Sequence, residues 1–480
     1  MNYSIIRYIL GWVLLFESGF MAMPCVVGAI YQEKSGFSFL ITALACLVVG
    51  FLLTRWKPKN MVYFAREGFV IVALSWIVMS AFGAVPFVLT GEIPNFVDAM
   101  FETISGFTTT GASILTDVEA LSHASLFWRS FTHWIGGMGV LVFLLAVLPL
   151  TGGYNMHLMK AESPGPSVGK LVPKVRDTAK ILYIIYFVMT IIEIIFLLFA
   201  KMPLFDALTT SFGTAGTGGF GIKNSSIGDY SVAIQVIVTV FMILFGVNFN
   251  AYYILLLGKN KKNVFKMEEV RWYLGIILVC ILIIAFNIKS IFGSFGVAFQ
   301  QSSFQVASII TTTGFSTADF DVWPQLSRTI LVVIMFIGAC AGSTGGGIKV
   351  SRVIILLKTV KQEMGYFIHP RSVKVIKMDD KAIEKDTVRS VSAFMVTYVI
   401  IFGFSMFILA FDNLDMVTNF TSIAATLNNI GPGLELVGPT GNFSVFSPLA
   451  KCVLIFDMLA GRLELYPLLL LFTPSVWKKN

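Results

Sequence analysis

Ten long apolar runs dominate this chain of 480 residues. A helix that crosses the hydrocarbon core of a bilayer needs about 20 mainly apolar residues, and each run reaches or approaches that length. Charged residues make up only 13% of the sequence, against about 25% in soluble domains, which excludes a water-soluble globule. The sequence predicts an all-α polytopic membrane protein with ten spanning helices, at approximately 5–30, 36–54, 67–90, 124–150, 178–200, 230–257, 268–292, 328–358, 386–411 and 445–474.

Basic residues are concentrated in every second link between these runs. The links 55–66, 151–180, 258–271 and 349–389, together with the C-terminal end, hold 26 of the 35 lysines and arginines. Because positively charged loops of membrane proteins stay on the cytoplasmic side, we expect both termini and the link 349–389 to be cytoplasmic. The net charge of +8 therefore reflects topology, and we expect no nucleic-acid partner.

Four shorter segments in the alternate links are too apolar for ordinary loops. They lie near 94–107, 203–215, 298–310 and 418–427, and their length suits a re-entrant half-helix better than a span. Each ends in a cluster of small polar residues and glycine, and the clusters recur about every hundred residues. The candidate loop residues are Thr108, Thr109, Thr110, Gly111, Gly216, Thr217, Gly218, Gly219, Thr311, Thr312, Thr313, Gly314, Asn428, Asn429, Ile430 and Gly431.

The recurrence of these clusters predicts a pore. Residues 105–113 and 308–316 are identical at six of nine positions. Non-helical backbone at membrane depth is stable only where it is buried in protein or lines a water-filled path, and four loops around one axis would satisfy that requirement. A ring of carbonyls replaces the hydration shell of a monovalent cation, and glycine permits the positive φ that turns carbonyls inward. The alternative, ordinary turns on the outer face, fits one cluster better than four at regular spacing.

The four loop motifs and the run Trp134-Ile-Gly-Gly-Met-Gly139 resemble the Trk/Ktr/HKT superfamily of potassium translocators. The two additional spans before the first repeat resemble its TrkH type. The resemblance implies that the candidate loop residues form a potassium-selective filter, in which the side chains of the fourth loop contribute less than its carbonyls. We expect two leading spans in 1–66 and four pseudo-repeats of span, pore loop and span in 67–177, 178–267, 268–385 and 386–480.

A glycine-rich run interrupts the eighth apolar run. Three glycines in series cost about 1 kcal/mol each relative to alanine in a helix, so the sequence predicts a break. Gly338 and Gly342 could instead form a small-xxx-small pair for close helix packing. In the superfamily that the chain resembles, the corresponding loop lies beneath the filter and acts as a gate. The candidate gate residues are Gly338, Gly342, Ser343, Thr344, Gly345, Gly346, Gly347 and Lys349.

Arg462 is a further gate candidate because it lies inside the last apolar run, where a charge is costly unless it faces water or a partner. One interpretation is a buried ion pair with Asp457 or Glu464. The other is a cationic barrier below the filter, where the superfamily similarly carries an arginine. For Arg129 and Glu193, which also lie within apolar runs, we expect structural roles.

The resemblance also implies partners: a second copy of the chain, each with its own pore, and a cytosolic ring of TrkA-type nucleotide-binding subunits. Gly216–Gly221 fits the GxGxxG pattern, but no predicted strand precedes it, so we expect the nucleotide on the partner. We expect potassium as the ligand, no covalently bound cofactor and no other metal.

The sequence predicts potassium uptake across a bacterial cytoplasmic (inner) membrane and no enzymatic activity. A sodium-permeable or ion-coupled symporter of the same superfamily is the alternative within transport. A membrane-embedded enzyme or assembly factor would need paired catalytic acids, a metal cluster or a nucleophile with its base, and the apolar runs show none of these.

Overall fold

Helices account for most of the structure, a computed structural model that describes residues 1–59, 64–139, 175–258, 261–371 and 375–478. The helices, numbered in chain order within these ranges, are α1 (Tyr3–Ile30), α2 (Ser35–Thr54), α3 (Ala65–Thr90), α4 (Phe96–Phe107), α5 (His123–Met138), α6 (Val175–Phe199), α7 (Leu204–Gly216), α8 (Val232–Phe245), α9 (Phe249–Leu257), α10 (Glu268–Phe292), α11 (Phe295–Ile310), α12 (Gln325–Met335), α13 (Val350–Ile368), α14 (Lys385–Leu409), α15 (Met416–Leu427), α16 (Pro448–Arg462), α17 (Tyr466–Leu471) and α18 (Pro474–Trp477). The predicted all-α class is confirmed.

A small antiparallel hairpin, β1 (Lys377–Met378) and β2 (Lys381–Ala382), stands in the long basic link. Its two-residue strands pair with each other, and the hairpin packs at the start of α10. There, the N–H of Glu268 donates to the carboxylate of Asp379 at 2.6 Å.

Six of the described helices, α1, α2, α3, α6, α10 and α14, are long and apolar enough to cross a membrane. The protein is therefore a multi-pass membrane protein. The number of ten spans stays a prediction, because the second half of the fourth run, 140–150, and the part of the basic link 151–180 before Val175 lie outside the described residues.

The sixth and tenth runs are not continuous helices, so that part of the prediction is wrong. In the sixth run, α8 and α9 meet at 91°. Asn248 causes the new start, because its side chain accepts a hydrogen bond from the N–H of Asn250 at 2.9 Å and caps α9. In the tenth, Glu464 and Leu465 have φ of 59° and 66°, which ends the helix. Hydropathy does not register breaks of two or three residues.

Short helices stand at all four predicted half-helix positions: α4, α7, α11 and α15. Side-chain caps fix two of the starts. Asn95 accepts from the N–H of Val97 and Asp415 from the N–H of Thr418, both at 2.8 Å. The C-terminal end of each helix leads directly into one of the glycine loops.

The two leading helices form a close antiparallel pair through glycine contacts. A Cβ added to Gly28 would stand 2.7 Å from the Cα of Gly36, and one added to Gly50 would stand 2.9 Å from the carbonyl oxygen of Gly11. Small residues of this kind let two membrane helices approach backbone to backbone. The pair packs on α3 and α5 of the first repeat.

Candidate functional site

The four short helices end in the same backbone motif. In the first, the N–H of Thr110 donates to the carbonyl of Ser105 at 2.9 Å, and that of Thr109 donates to Gly106 at 3.1 Å. These 6→1 and 5→2 bonds define a Schellman motif. The equivalent donors, with bonds between 2.8 and 3.1 Å, are Gly218 and Thr217, Thr313 and Thr312, and Ile430 and Asn429. The three aligned loops and the divergent fourth thus share one geometry.

The left-handed position of each motif is occupied by a residue that carries a side chain. Thr109, Thr217, Thr312 and Asn429 have φ between 54° and 59°. Glycine is the usual residue there, and a β-branched residue in this region costs about 1–3 kcal/mol. The three threonines are therefore strained, whereas asparagine, at Asn429, adopts this region more readily.

Two of these side chains contact elements beneath the loops. The hydroxyl oxygen of Thr109 accepts a hydrogen bond from the guanidinium of Arg462 at 3.4 Å. The hydroxyl oxygen of Thr312 accepts one from the N–H of Gly346 at 2.6 Å. The strained threonines therefore connect the loops to the last helices and to the glycine-rich segment.

One residue after each motif, a glycine packs on the backbone of the next loop. A Cβ added to Gly111 would overlap the carbonyl oxygen of Gly218, one on Gly219 that of Thr313 and one on Gly314 that of Ile430; one on Gly431 would stand 2.8 Å from that of Thr110. The contacts run from the first loop to the second, third and fourth and back to the first. The four loops close a ring in which each contributes a carbonyl at the same level.

This ring offers oxygen ligands to a monovalent cation. Backbone carbonyls in such an arrangement replace water around the ion, and the C-terminal ends of the four short helices add negative dipole potential. Within the described ranges, no group of three or more His, Cys, Asp or Glu residues is placed to hold a metal ion. The chemistry of this site is that of neutral oxygen donors.

Hydroxyl groups fasten the first loop to the fourth. The amide Nδ2 of Asn429 donates to the Oγ1 of Thr110 at 2.9 Å. The hydroxyl of Thr108 donates to the carbonyl of Ile104 at 2.6 Å, so the contact of 2.8 Å between the hydroxyls of Thr110 and Thr108 has Thr110 as donor. The side chain of Thr108 thus stabilises the loop backbone.

The third and fourth loops have similar internal ties. Thr311 donates to the carbonyl of Ala307 and contacts the hydroxyl of Thr313, both at 2.7 Å. Asn428 donates to the hydroxyl of Tyr398 at 2.8 Å. These hydrogen bonds stabilise the third and fourth loops.

The glycine-rich segment 336–349 is non-helical, as the sequence predicts, and lies directly beneath the third and fourth loops. A Cβ on Gly346 would stand 2.8 Å from the carbonyl oxygen of Asn428, and one on Gly345 would stand 3.0 Å from that of Thr311. Absence of side chains allows this close approach.

The earlier part of the segment is pinned to the bend between α8 and α9. The N–H of Phe249 donates to the carbonyl of Gly342 at 3.0 Å, and the hydroxyl of Thr344 donates to that of Phe245 at 3.3 Å. Within the segment, Ser343 donates to the carbonyl of Cys340 at 2.7 Å. At its base, the N–H of Gly338 donates to the carbonyl of Ile348 at 2.6 Å, which brings the two ends of the segment, with Gly347, together.

Two buried basic residues, Arg462 and Lys349, lie beside the segment. Arg462 donates to the carbonyls of Thr344, Gly136 and Gly137 at 3.0, 2.5 and 2.7 Å. Lys349 donates to the carbonyls of Gly345 and Gly346. Arg462 therefore joins the end of α16, the segment and the end of α5.

The acidic neighbours of Arg462 in the sequence have other contacts. Glu464 forms an ion pair with Arg352, and Asp457 accepts a hydrogen bond from Ser405 at 2.9 Å. The geometry of Arg462 beneath the loops fits the barrier interpretation better than a local ion pair.

Comparison with known proteins agrees with this architecture. The family model TrkH, described as cation transport protein, matches residues 35–479. The chain belongs to the TrkH family. It is 38% identical over 490 residues to the Trk system potassium uptake protein TrkH of Salmonella typhimurium, and equally to that of Escherichia coli K12, with 100% of each chain covered. The crystal structure of the potassium transporter TrkH from Vibrio parahaemolyticus superposes with a TM-score of 0.89 at 35% identity and covers 100% of both chains.

Family membership confirms the prediction of a cation transport protein rather than an enzyme. The contacts of individual residues in this TrkH-family chain indicate their roles. Glu269 and His133 also contact the loops or the glycine-rich segment. Neither was among the site residues that the sequence predicts.

Glu269 ties the glycine-rich segment to the first turn of α13. Its carboxylate oxygen Oε1 accepts a hydrogen bond from the N–H of Ala341 at 2.7 Å and from that of Ser351 at 3.2 Å. The residue is 4% exposed. An acidic residue at the start of an apolar run was a signal for such a role, although its partners lie more than 70 positions away in the chain.

His133 supports the first and second loops. Its Nδ1 lies 2.7 Å from the carbonyl oxygen of Gly106, so Nδ1 carries the proton; its Nε2 accepts from the N–H of Phe220 at 3.2 Å. Both bonds together require the neutral imidazole. The ring fills the space beside Gly218.

Arg129 has the structural role that the sequence predicts. It pairs with Glu102 at 2.7 Å, and both side chains are buried. Glu102 in turn accepts hydrogen bonds from Ser113 and from the N–H of Ile114, each at about 3.0 Å. The pair holds the extended chain that follows the first loop. Glu193 is also buried, in α6.

A cavity of about 160 Å³ opens on the side of the ring opposite the glycine-rich segment. Gly111, Gly219, Gly314 and Gly431 form its floor, and polar residues such as Ser113 line its wall. The cavity, the ring and the segment thus lie in series, as an ion path with a plug requires.

Proposed function

We propose that this chain carries potassium ions inward across the bacterial cytoplasmic membrane, with both termini on the cytoplasmic side. The ion path runs through the cavity, the four-loop ring as selectivity filter, and the glycine-rich segment as gate. The observation that carries the proposal is the ring itself: four helix ends with one backbone geometry, each followed by a glycine that packs on the next loop's carbonyl. Relatives of 38% identity that cover the whole chain are named potassium uptake proteins, which supports the choice of ion.

Reconstitution tests the choice of ion. Purified chain in liposomes should carry potassium and rubidium readily and sodium poorly, because all four aligned positions are glycine and the filter is lined by carbonyls. Uptake of radioactive rubidium, competed by each cation, measures this. Equal sodium and potassium fluxes would favour the sodium-permeable alternative. A flux that requires a proton or sodium gradient would favour the symporter.

The gate is proposed from the contacts of residues 338–349 with the ring. Arg462 places positive charge beside a cation path, Lys349 is bonded to carbonyls of the segment, and Gly346 is bonded to the loop residue Thr312. Removal of Gly345, Gly346 and Gly347 should shorten the plug and give flux without an activating partner. A shortened protein that folds but remains silent would make the segment a packing element.

The partner is proposed to be a cytosolic nucleotide-binding ring that docks on the link 349–389. Lys377 and Lys381 stand exposed on the hairpin of this link, which continues from α13 and hence from the gate. Charge reversal of both should weaken co-purification of a TrkA-type partner while leaving partner-free flux intact. A third lysine of the link, Lys374, lies outside the described residues. Unchanged co-purification would move docking to 151–180 or 258–271.

The working assembly is proposed to be a homodimer with one pore in each chain. Closure of the ring within a single chain supports separate pores, since every loop finds its neighbour intramolecularly. Mass measurement of the purified complex, together with flux from mixed wild-type and inactive chains, tests it. A flux proportional to the number of active chains is expected.

A further inference from the structure

A basic cavity lies where α1 begins, α2 ends and α3 begins. Its volume is about 970 Å³, and its lining includes four basic side chains, Arg7, Lys57, Lys59 and Arg66. Glu67 is the one carboxylate among the described residues that line it. The cavity lies outside the proposed ion path, and nothing in the proposed transport uses it.

The positive charge of this cavity is poorly compensated. Glu67 is already engaged, because it accepts a hydrogen bond from the N–H of Phe64 at 3.0 Å and lies 3.5 Å from Arg66. The sequence 55–66 contains four basic residues and no acidic one. The cavity therefore favours an anion.

Arg7 is held at the cavity by a hydrogen bond to the backbone. One of its terminal nitrogens donates to the carbonyl of Trp56 at 2.8 Å, which fixes the guanidinium at the cavity. Its Nε is buried and makes no hydrogen bond to any described residue. Since Nε is covered by protein, an anion in the cavity would bind the guanidinium through its terminal nitrogens, as anions commonly bind arginine.

The surroundings identify the kind of anion. Three membrane-length helices each have one terminus at the cavity. Trp56 and Phe64 beside it are each 61% exposed. Tryptophan at a helix end marks the boundary between hydrocarbon and headgroups, and Phe64 adds apolar surface. A ligand at this depth meets basic groups on its polar part and apolar surface on its remainder.

We propose that this cavity binds the phosphate-bearing headgroup of an anionic phospholipid. Basic pockets between membrane helices are suited to such headgroups, and each lysine or arginine contributes about 1 kcal/mol of attraction to an anionic surface. A free phosphate would satisfy the cations but would leave the apolar rim unused. The bound lipid fastens the two leading helices to the first repeat.

Native mass spectrometry of the full chain, titrated with phosphatidylglycerol or phosphatidylcholine, tests the proposal. The wild type should retain phosphatidylglycerol preferentially. The variant Arg7→Gln/Lys59→Gln/Arg66→Gln should bind it at least about 10-fold more weakly, as loss of three attractions implies. The matched control, Lys261→Gln/Lys262→Gln/Lys266→Gln, removes the same charge from another link and should change binding less than about twofold.

Three results would overturn the proposal. No preference of the wild type for the anionic lipid would do so without any variant, and equal losses in variant and control would reduce the effect to surface charge. Displacement of the lipid by millimolar inorganic phosphate would assign the cavity to free phosphate. The charge-preserving Arg7→Lys/Arg66→Lys protein guards against misfolding, since it should bind within about threefold of wild type.

Discussion

The side-chain amide of Asn429 donates a hydrogen bond of 2.9 Å to the hydroxyl of Thr110, although 319 positions separate the two residues in the sequence. This bond crosses the junction between the fourth and the first loops. The same junction has the loosest glycine contact of the ring, at Gly431. The ring therefore relies here on a side-chain bond more than on backbone packing.

Replacement of Thr110 by valine should weaken potassium selectivity. The change removes one of the two acceptors of the Asn429 amide, the other being the carbonyl of Met458, and leaves one buried N–H unsatisfied, at a cost of about 1–3 kcal/mol. The junction should then open and admit sodium. The sodium-to-potassium permeability ratio of reconstituted protein measures this and should rise several-fold.

Two variants calibrate that result. Thr110→Ser keeps the hydroxyl and should retain most of the selectivity. Thr313→Val removes the equivalent hydroxyl of the third loop, whose contact stays within its own loop, so its effect should be smaller than that of Thr110→Val. Equal effects of the two valine variants would contradict a special role for the junction.

Replacement of Gly111 by serine should also weaken discrimination against sodium. A Cβ there would overlap the carbonyl oxygen of Gly218, so one ring oxygen must move. Gly91 provides the control: its φ of 78° matches the 79° of Gly111, but no atom lies within 4 Å of an added Cβ. Gly91→Ser should carry the same backbone strain and keep wild-type selectivity. Ion competition of rubidium uptake distinguishes the two, and matched losses would implicate strain rather than crowding.

The short helices and glycine loops were predictable because they combine local signals: apolar length, small polar residues and repetition. The alignment of the fourth loop followed from Gly431 and the polar pair Asn428 and Asn429 before it, and the left-handed Asn429 shares the positive φ of Thr109 and Thr312. Local sequence is enough where the backbone motif is local, as a Schellman turn is.

The supporting contacts were not predictable because they are not local in the sequence. Glu269, His133 and Arg462 each join elements that lie far apart in the chain, and their residue types fit many environments. The breaks in the sixth and tenth runs were hidden because two or three residues change φ without changing hydropathy. Asn248 was the one local sign of the first break, since asparagine is a strong helix-capping residue.

Acid should loosen the outer contact between the leading helices and α5. Burial alone would raise the pKa of Glu33, but hydrogen bonds from His123 and Ala124 outweigh it and hold the pKa below its ordinary value. Because the folded pKa is depressed, the stabilisation is present above the unfolded pKa of about 4.3 and is lost as pH falls through the folded pKa. Thermal unfolding between pH 7 and pH 3.5 should show a steeper loss for wild type than for Glu33→Gln. Parallel curves would rule out this contribution.

The hydrogen bonds of Glu269 should restrain the gate. Its carboxylate accepts hydrogen bonds from Ala341 within the glycine-rich segment and from Ser351 in the first turn of α13. Glu269→Ala therefore leaves two buried N–H groups without their acceptor, each at about 1–3 kcal/mol. If the segment is the plug that we propose, its release should raise partner-free rubidium flux about 10-fold or more, since 1.4 kcal/mol corresponds to a factor of ten. Glu269→Gln keeps an acceptor but loses the charge, and should fall between. Glu268→Ala is the matched control, because its carboxylate pairs with Lys358 at 2.6 Å instead of the segment. A folded Glu269→Ala protein with unchanged flux would show that these hydrogen bonds do not hold the gate closed.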